Sequence, residues 1–574
     1  MLVLACVALG WNLSGYRLLD PDEGRNAEVA REMAQSHDYI VPRLDGLPYL
    51  DKPVVYFAAA AAVMQLVGPT ETAVRIPAYL ATLATVALLI GFVRRRWGPE
   101  AGWLAGLAYA TTVLPLAYAR AAIFDSTLTL CTTAATVWLF EDRSIRAWAA
   151  MAVGALTKGP LALALPLLTL IPHALATGAP VRRLFPWRGL ALFAAIALPW
   201  FVAVSIAHPD FPGYVFFRET LARVATPTFH RTAPVWYYLP IVPLAAFPWI
   251  VPALGRVRFW RTTWRTRFAP DAREPLFLAA WVLVPLAFFT LNQSKLPQYV
   301  LPLMPAFALA ATRNLTRSTG VGARAYVAVA LVAGLALLAI TRWLPAPISL
   351  TPEEKAAIPP AAIALGLVVL CSAAVVGLGL WVRRPLTVLI GYAVVVMSIP
   401  FLSGRLLLAV GEDRSSGVVA KATVAAVGRA GEGATVLGVF AYPPSLPFYL
   451  GRPVAVATAT GGELTSTYIA DHVDEMRAQE ASPLFPPDYW REALARCPMP
   501  TVFVTRASNR EARATLGATL PLLAADGHYA AYGPCQPHPP GGRTSPPRPA
   551  TVTDLRTALA PPAPGPRAWR GRRG

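Results

Sequence analysis

Five carboxylates crowd into the stretch "LLDPDEGRNAEVARE" (residues 18–32): Asp20, Asp22, Glu23, Glu28 and Glu32. Acids at this density suit general-base chemistry, in which a carboxylate within hydrogen-bond reach takes the proton of an attacking hydroxyl. Helix chemistry explains most of them more plainly. Asp20 fits an N-cap, Pro21 the first helical position, and Glu23 the reciprocal acid of a capping box. Glu28 and Glu32 lie four apart and are expected to face solvent or the nearby Arg25 and Arg31. Asp22 is left unexplained, at a position where the helix dipole favours an ionised carboxylate.

A second group is cationic. Of 51 basic residues only five are lysine: Lys52, Lys158, Lys295, Lys355 and Lys421. The first three stand beside prolines that interrupt apolar segments, in "YLDKPVVYF", "ALTKGPLAL" and "NQSKLPQYVLP". An ammonium near hydrocarbon is costly, so such a lysine marks a candidate site whose expected partner is an anion; the plainer alternative is snorkelling to the interface. Together with Arg120 and Asp125 of "YARAAIFDSTL", Lys52, Lys158 and Lys295 suit a site that receives a lipid phosphate. The segment 208–240 adds Glu219, His230, Arg231 and the run Trp236-Tyr237-Tyr238. Those aromatics read most simply as an interfacial belt, and one histidine is slender evidence for catalysis.

The elements that must position these residues are membrane helices. The chain is 55% hydrophobic and 14% charged, with a mean hydropathy of +0.47. Such a composition, with many long apolar runs, excludes an ordinary soluble globule. A net charge of +19 would suggest nucleic acid in a soluble protein, but here the arginines concentrate between apolar runs, where topology accounts for them. No nucleic-acid partner is expected; membrane lipids are. The cysteines at 6, 131, 371, 497 and 535 form no metal or redox motif, and only Cys497 and Cys535 are candidates for a disulfide.

Hydropathy marks spans at about 2–15, 74–93, 101–118, 126–140, 148–157 with 160–175, 189–207, 236–254, 274–290, 299–311, 325–343, 360–382 and 386–410, thirteen when the broken pair counts as two. The first lacks a basic flank and a cleavage site, and is read as a span cut short at its start rather than a signal peptide. If the spans alternate, "RRRWG", "EDRSIR", "RRLFPWR", "RVRFWRTTWRTR", "TRNLTR" and "VRRP" share one side, which the positive-inside rule assigns to the cytoplasm. Residues 16–73, 119–125, 208–235, 291–298, 344–359 and all beyond about 411 are then external. This requires "DKPVVYFAAAAAVMQLVG" (51–68) to lie at the surface, as its apolar length of about 14 residues suggests.

The expected fold class is therefore a polytopic α-helical membrane protein with about 13 transmembrane helices and a small C-terminal extracytoplasmic α/β domain. The transmembrane domain covers 1–411, with juxtamembrane helices in 20–68. Residues 412–535 alternate helix-like "SSGVVAKATVAAVGRAG" and "DYWREALARC" with strand-like "TVLGVFAY", "PVAVATA" and "TVFVTR". The tail 536–574 is rich in Pro, Arg and Gly and is expected to be disordered.

In order along the chain, "DPDEGRNAEVAREM", "YIVPRLDGLPYLDKPVVYF", "ARAAIFDSTLTL", "ALTKGPLALALP", "HRTAPVWYYLP" and "SKLPQYVLPLMPAFAL" resemble the bacterial lipid A aminoarabinose transferases and protein O-mannosyltransferases, which are GT-C glycosyltransferases. The resemblance runs from about 16 to 311. It implies a polyprenyl-phosphate sugar donor, a catalytic aspartate matching Asp22 with Glu23 beside it, and a site that includes Lys52 and a second acidic motif at Asp125. In the aminoarabinose enzymes a glutamate typically precedes the lysine, whereas this chain has Asp51. No residue is assigned as a metal ligand and no cofactor is certain; a divalent metal is an open option.

The expected mechanism follows. Lys52, Arg120, Lys158 and Lys295 hold the donor phosphate and stabilise it as it leaves, while Asp22 takes the proton of the acceptor attacking from the opposite face, with inversion. Asp125, His230 and Arg231 form the acceptor or second acidic site. The acceptor is a lipid A-like glycolipid, a protein or a glycan. A transporter or lipid flippase is the alternative, disfavoured because the halves show no repeat and the charged motifs group at one face; a degenerate scaffold would not need these charges.

Overall fold

The computed structural model describes residues 1–222, 233–254, 264–317, 320–343, 352–431 and 433–536. His230, Arg231 and the tail beyond 536 lie outside the described residues. Packing divides the chain into two units, residues 1–15 with 75–409 and residues 16–74 with 410–574. Hydropathy had grouped the acidic stretch and Lys52 with the membrane domain; their contacts are with the C-terminal residues, for reasons given below.

The first unit is helical. Among the described residues, six helices are long and apolar enough to cross a bilayer: Glu71–Trp97, Val181–Ala207, Pro270–Leu291, Gly320–Ala339, Glu354–Trp381 and Pro385–Leu402. Other apolar stretches are divided into shorter helices. The expected span 101–118 becomes Pro99–Ala110 and Val113–Tyr118, and the expected span 236–254 contains Tyr238–Ala245 and Ile250–Leu254, with Pro248 between them. Proline removes a backbone donor and crowds the preceding turn, which is why these stretches do not continue as single helices. The expected broken pair is present as Ser144–Lys158 and Leu161–Thr177, parted by Gly159-Pro160. Inside the bundle, polar groups find partners close by. Trp249 is fully buried, donates Nε1–H to the Thr111 carbonyl at 3.0 Å and stacks on Tyr392 at 5.1 Å. With lipid as apolar as the core, such packing and hydrogen bonding hold the helices together.

The second unit contains the acidic helix Asp22–Ser36, a hairpin, the helix Val55–Val67 and a six-stranded sheet. In the hairpin, β1 (Arg43–Leu44) pairs antiparallel with β2 (Leu47–Pro48) across a two-residue turn, Asp45-Gly46. Both turn residues have positive φ, 58° and 80°, as a type I′ turn demands and as Asp-Gly tolerates. The sheet comprises β3 (Thr435–Val439), β4 (Ala455–Ala457), β5 (Leu484–Phe485), β6 (Thr501–Arg506), β7 (Leu522–Ala525) and β8 (Tyr529–Tyr532) in the order β5-β4-β3-β6-β8-β7. The first four strands in that order run parallel, and β8 is antiparallel to both its neighbours. The continuous apolar runs of β3, β4 and β6 suit strands covered on both faces. The helix Gly417–Ala430 packs on this sheet, and Trp490 fills its core, a side chain worth roughly 3–5 kcal/mol relative to alanine. Cys497 and Cys535 are disulfide-bonded, with Cα atoms 6.0 Å apart.

Candidate active-site residues

The acidic helix begins one residue later than its sequence suggests. Pro21, itself in the helical region, occupies the N-cap, and Asp22 is the first helical residue. Asp20 therefore does not cap the helix: its Oδ2 accepts from the Ser445 hydroxyl at 2.8 Å and the Ser416 amide at 3.2 Å. Glu23 does reach back over the helix start, accepting from the Leu19 amide at 3.0 Å. Gly24 makes this packing possible, because a Cβ there would stand 2.1 Å from Asp20 Oδ1 and 2.5 Å from the Ser445 amide nitrogen.

Glu28 and Glu32, expected at the surface, are buried, as are Arg25 and Arg31. Burial is tolerated because each charged group has an internal partner. Arg31 grips both oxygens of Glu28, at 2.5 and 2.7 Å, and Glu32 accepts from the Gly46 amide at 3.0 Å. A charged helix of this kind needs a polar pocket rather than lipid, which is why residues 16–74 pack with the C-terminal unit.

Asp22 is the exception on this helix, its side chain 42% exposed. Its Oδ1 lies 2.6 Å from the Arg25 guanidinium. Arg25 is in turn fixed by the Thr465 carbonyl and hydroxyl at 2.8 and 2.9 Å, and lies 5.8 Å from the Tyr49 ring centre. Burial opposes its charge, but Tyr49, Asp22 and Asp51 outweigh burial and hold the guanidinium protonated beyond its ordinary range. Asp51 accepts from the amides of Thr467 and Tyr468 at 3.0 and 2.9 Å, and Lys52 Nζ donates to the Asp51 carbonyl at 2.6 Å. The carboxylate at 51 thus orients backbone. This unit brings together Asp22, Glu23 and Lys52 of the sequence-derived set.

The first unit brings together another part of it. Asp125 opens the helix Asp125–Phe140, Lys158 closes the helix Ser144–Lys158, and the two form an ion pair of 2.6 Å with little exposure on either side. Lys158 Nζ also lies 5.4 Å from the Tyr299 ring centre, a cation–π distance. Lys295 is buried and donates to the Asn292 carbonyl at 2.6 Å. Arg120, buried five residues before Asp125, approaches the Asn12 carbonyl at 3.5 Å. Asp125 is thus paired with a base, Lys158.

The family described as Dolichyl-phosphate-mannose-protein mannosyltransferase matches residues 51–206. The undecaprenyl phosphate-α-4-amino-4-deoxy-L-arabinose arabinosyl transferase of Edwardsiella ictaluri is 35% identical over 327 residues, 54% of this chain and 58% of that one. Its Yersinia enterocolitica counterpart is 33% identical over 308 residues, 51% and 54% of the two chains. The chain spans a little over half the length of these curated relatives. The crystal structure of ArnT from Cupriavidus metallidurans bound to undecaprenyl phosphate superposes with a TM-score of 0.78 at 25% identity, covering 94% of this chain and 98% of that one. The chain has the GT-C fold and, over about half its length, is similar to the lipid A aminoarabinose transferases.

As a GT-C chain it is a multi-pass membrane protein, in keeping with its long apolar helices. Several residues around the GT-C motifs escaped the sequence reading. Arg25 stands three residues from Asp22, a spacing that could have paired them. Thr465, which anchors that arginine, lies 440 residues away and carries no local signal. Tyr299 sits inside the motif "SKLPQYVLPLMPAFAL", but nothing in the sequence sets it apart from its neighbours.

Proposed function

We propose that the protein transfers a sugar from a polyprenyl-phosphate donor to an envelope acceptor at the extracytoplasmic face of the inner membrane, with inversion at the anomeric carbon. One observation carries the reading: Asp22 is the half-exposed carboxylate of a helix whose other carboxylates are buried, held at the helix head by an arginine that is itself fixed. Asp22 accepts the acceptor hydroxyl's proton as that oxygen bonds to the anomeric carbon. The bond from that carbon to the phosphate oxygen breaks, and polyprenyl phosphate leaves as an anion. Lys52, in the same unit as Asp22, stabilises the anion. Undecaprenyl-phosphate 4-amino-4-deoxy-L-arabinose, named for the relatives at 33–35% identity, is the first donor to test, with lipid A as acceptor.

The test is Asp22→Asn, assayed for sugar transfer in membranes and by mass spectrometry of envelope glycolipids, glycans and glycoproteins. Turnover should fall by about 10²–10⁴ with expression and insertion unchanged. Full activity would remove Asp22 from the base role.

A further inference from the structure

We propose that Glu28, Glu32 and Asp45 form a binding site for a hard divalent cation such as calcium, with the Tyr442 hydroxyl beside them. The inference stands apart from the transferase reading, since none of these residues belongs to the Asp22 group. One carboxylate oxygen from each of the three acids lies within 4.8 Å of the other two, and all three side chains are buried. They come from two elements: Glu28 and Glu32 share a face of the acidic helix, and Asp45 sits in the hairpin turn.

Charge gives the argument its force. Arg31 is the cation at this cluster, and its bonds go to both oxygens of Glu28, to Gln35 Oε1 and to the Gly451 carbonyl. Glu32 accepts from the Gly46 amide and shares a side-chain hydrogen bond with Glu28, while Asp45 accepts from the Val454 amide at 2.8 Å. The second oxygen of Asp45 is buried with no hydrogen-bond partner. The Tyr442 hydroxyl is likewise buried without one, and its phenol is under the charge of Asp45, Glu28 and Glu32. Fully ionised, three carboxylates against one guanidinium would leave two negative charges in a dry pocket, a costly arrangement, and burial accordingly pushes Glu32 and Asp45 upward. One dication closes that balance and supplies the missing partner for Asp45. All the donors are oxygen, which selects hard cations over zinc or copper. With all three oxygens within 4.8 Å of one another, one ion with Ca–O bonds of roughly 2.4 Å can touch all of them. Bound there, the ion would tie the hairpin to the helix that carries Asp22.

Two protons would balance the charge equally well, so the experiment must separate the two. Full-length protein in nanodiscs, stripped with EDTA, is titrated with calcium by calorimetry and with terbium by tyrosine-sensitised luminescence. One equivalent of calcium should bind with a Kd below about 1 mM, the range of extracellular modules. Asp45→Asn and Glu32→Gln should each weaken it at least ~10-fold. Asparagine tolerates the left-handed turn position and keeps an acceptor for the Val454 amide, so the variant should fold. Asp22→Asn should leave the titration unchanged. The proposal is overturned if wild-type protein takes up no stoichiometric calcium. It is also overturned if uptake survives Asp45→Asn but not Asp22→Asn, or if Asp45→Asn melts higher than wild type in both calcium and EDTA.

Discussion

In the helical unit the buried hydroxyls of Thr132, Thr157, Thr169 and Thr312 each donate to the carbonyl four residues back, and Asp125 pairs with a lysine 33 residues away. In the second unit the buried polar groups of residues 16–74 look far along the chain. Asp20 meets Ser445, Arg25 meets Thr465, Arg31 meets Gly451, Asp45 meets Val454 and Asp51 meets Tyr468, separations of 409 to 440 residues. The difference follows from solvent. A helix facing lipid must satisfy its polar groups within itself or against a neighbour, whereas a charged segment set against a water-soluble fold can take its partners from anywhere in that fold. Bundle defects should therefore be pairwise and repairable, while defects in the acidic helix should spread.

The sharpest way to break that contrast is a methyl group. Gly24→Ala would place a Cβ against Asp20 Oδ1 and the Ser445 backbone, and backbone cannot swing aside. We expect the acidic helix to lose its seat, at a cost of ~3 kcal/mol or more. Hydrogen exchange should accelerate both in 20–36 and around 445. The control is Gly377→Ala in a bundle helix, where a Cβ meets nothing within 4 Å and little change is expected. Comparable in size is Asp125→Asn, which strands the Lys158 ammonium and should cost about 3–5 kcal/mol. Because the pair is nearly self-contained, adding Lys158→Met should restore most of the thermal stability. The matching double change Asp22→Asn with Arg25→Met should not recover, since the Thr465 carbonyl still loses its donor. Equal recovery in both cycles would erase the distinction between the units.

The same contrast decides what could be read from sequence. Helices of the bundle show as apolar runs with prolines at their breaks, and the expected 189–207 and 274–290 lie within Trp187–Ala207 and Pro270–Leu291. The strands β3, β4 and β6 show as short Val-rich runs. Asp22 was legible because local helix chemistry left it without a task. Glu28 and Glu32 were misplaced because four-residue spacing in a charged helix usually means solvent, and nothing nearby announces that Asp45 and the segment between β3 and β4 will cover them. The destination of Asp20 was hidden for the same reason: Ser445 is a common residue in an undistinguished loop, and only the folded second unit brings it within 2.8 Å.

Asp20 also gives the smallest and most selective test. Burial pushes its carboxyl up to about 7, against opposing hydrogen bonds from Ser445 and Ser416, with a smaller push from the Asp526 charge. A folded-state value above the ordinary one means the folded chain holds the proton more tightly than the unfolded chain. The second unit should thus be most stable below about pH 4 as far as this group is concerned, and should lose up to ~2–4 kcal/mol as pH rises through 7. Asp20→Asn mimics the protonated form and keeps an acceptor for Ser445, so it should remove the slope and leave the low-pH stability in place. Other acids of this unit titrate too, so the quantity to measure is the difference between wild type and Asp20→Asn in exchange at the amides of Ser416 and Ser445 from pH 5 to 8. Exchange must be normalised for its intrinsic pH dependence. That difference should grow with pH in these amides and be absent from bundle segments such as 128–132 and 308–312, where threonine hydroxyls donate to carbonyls that do not titrate; a slope shared by both units would mean that Asp20 is not its source.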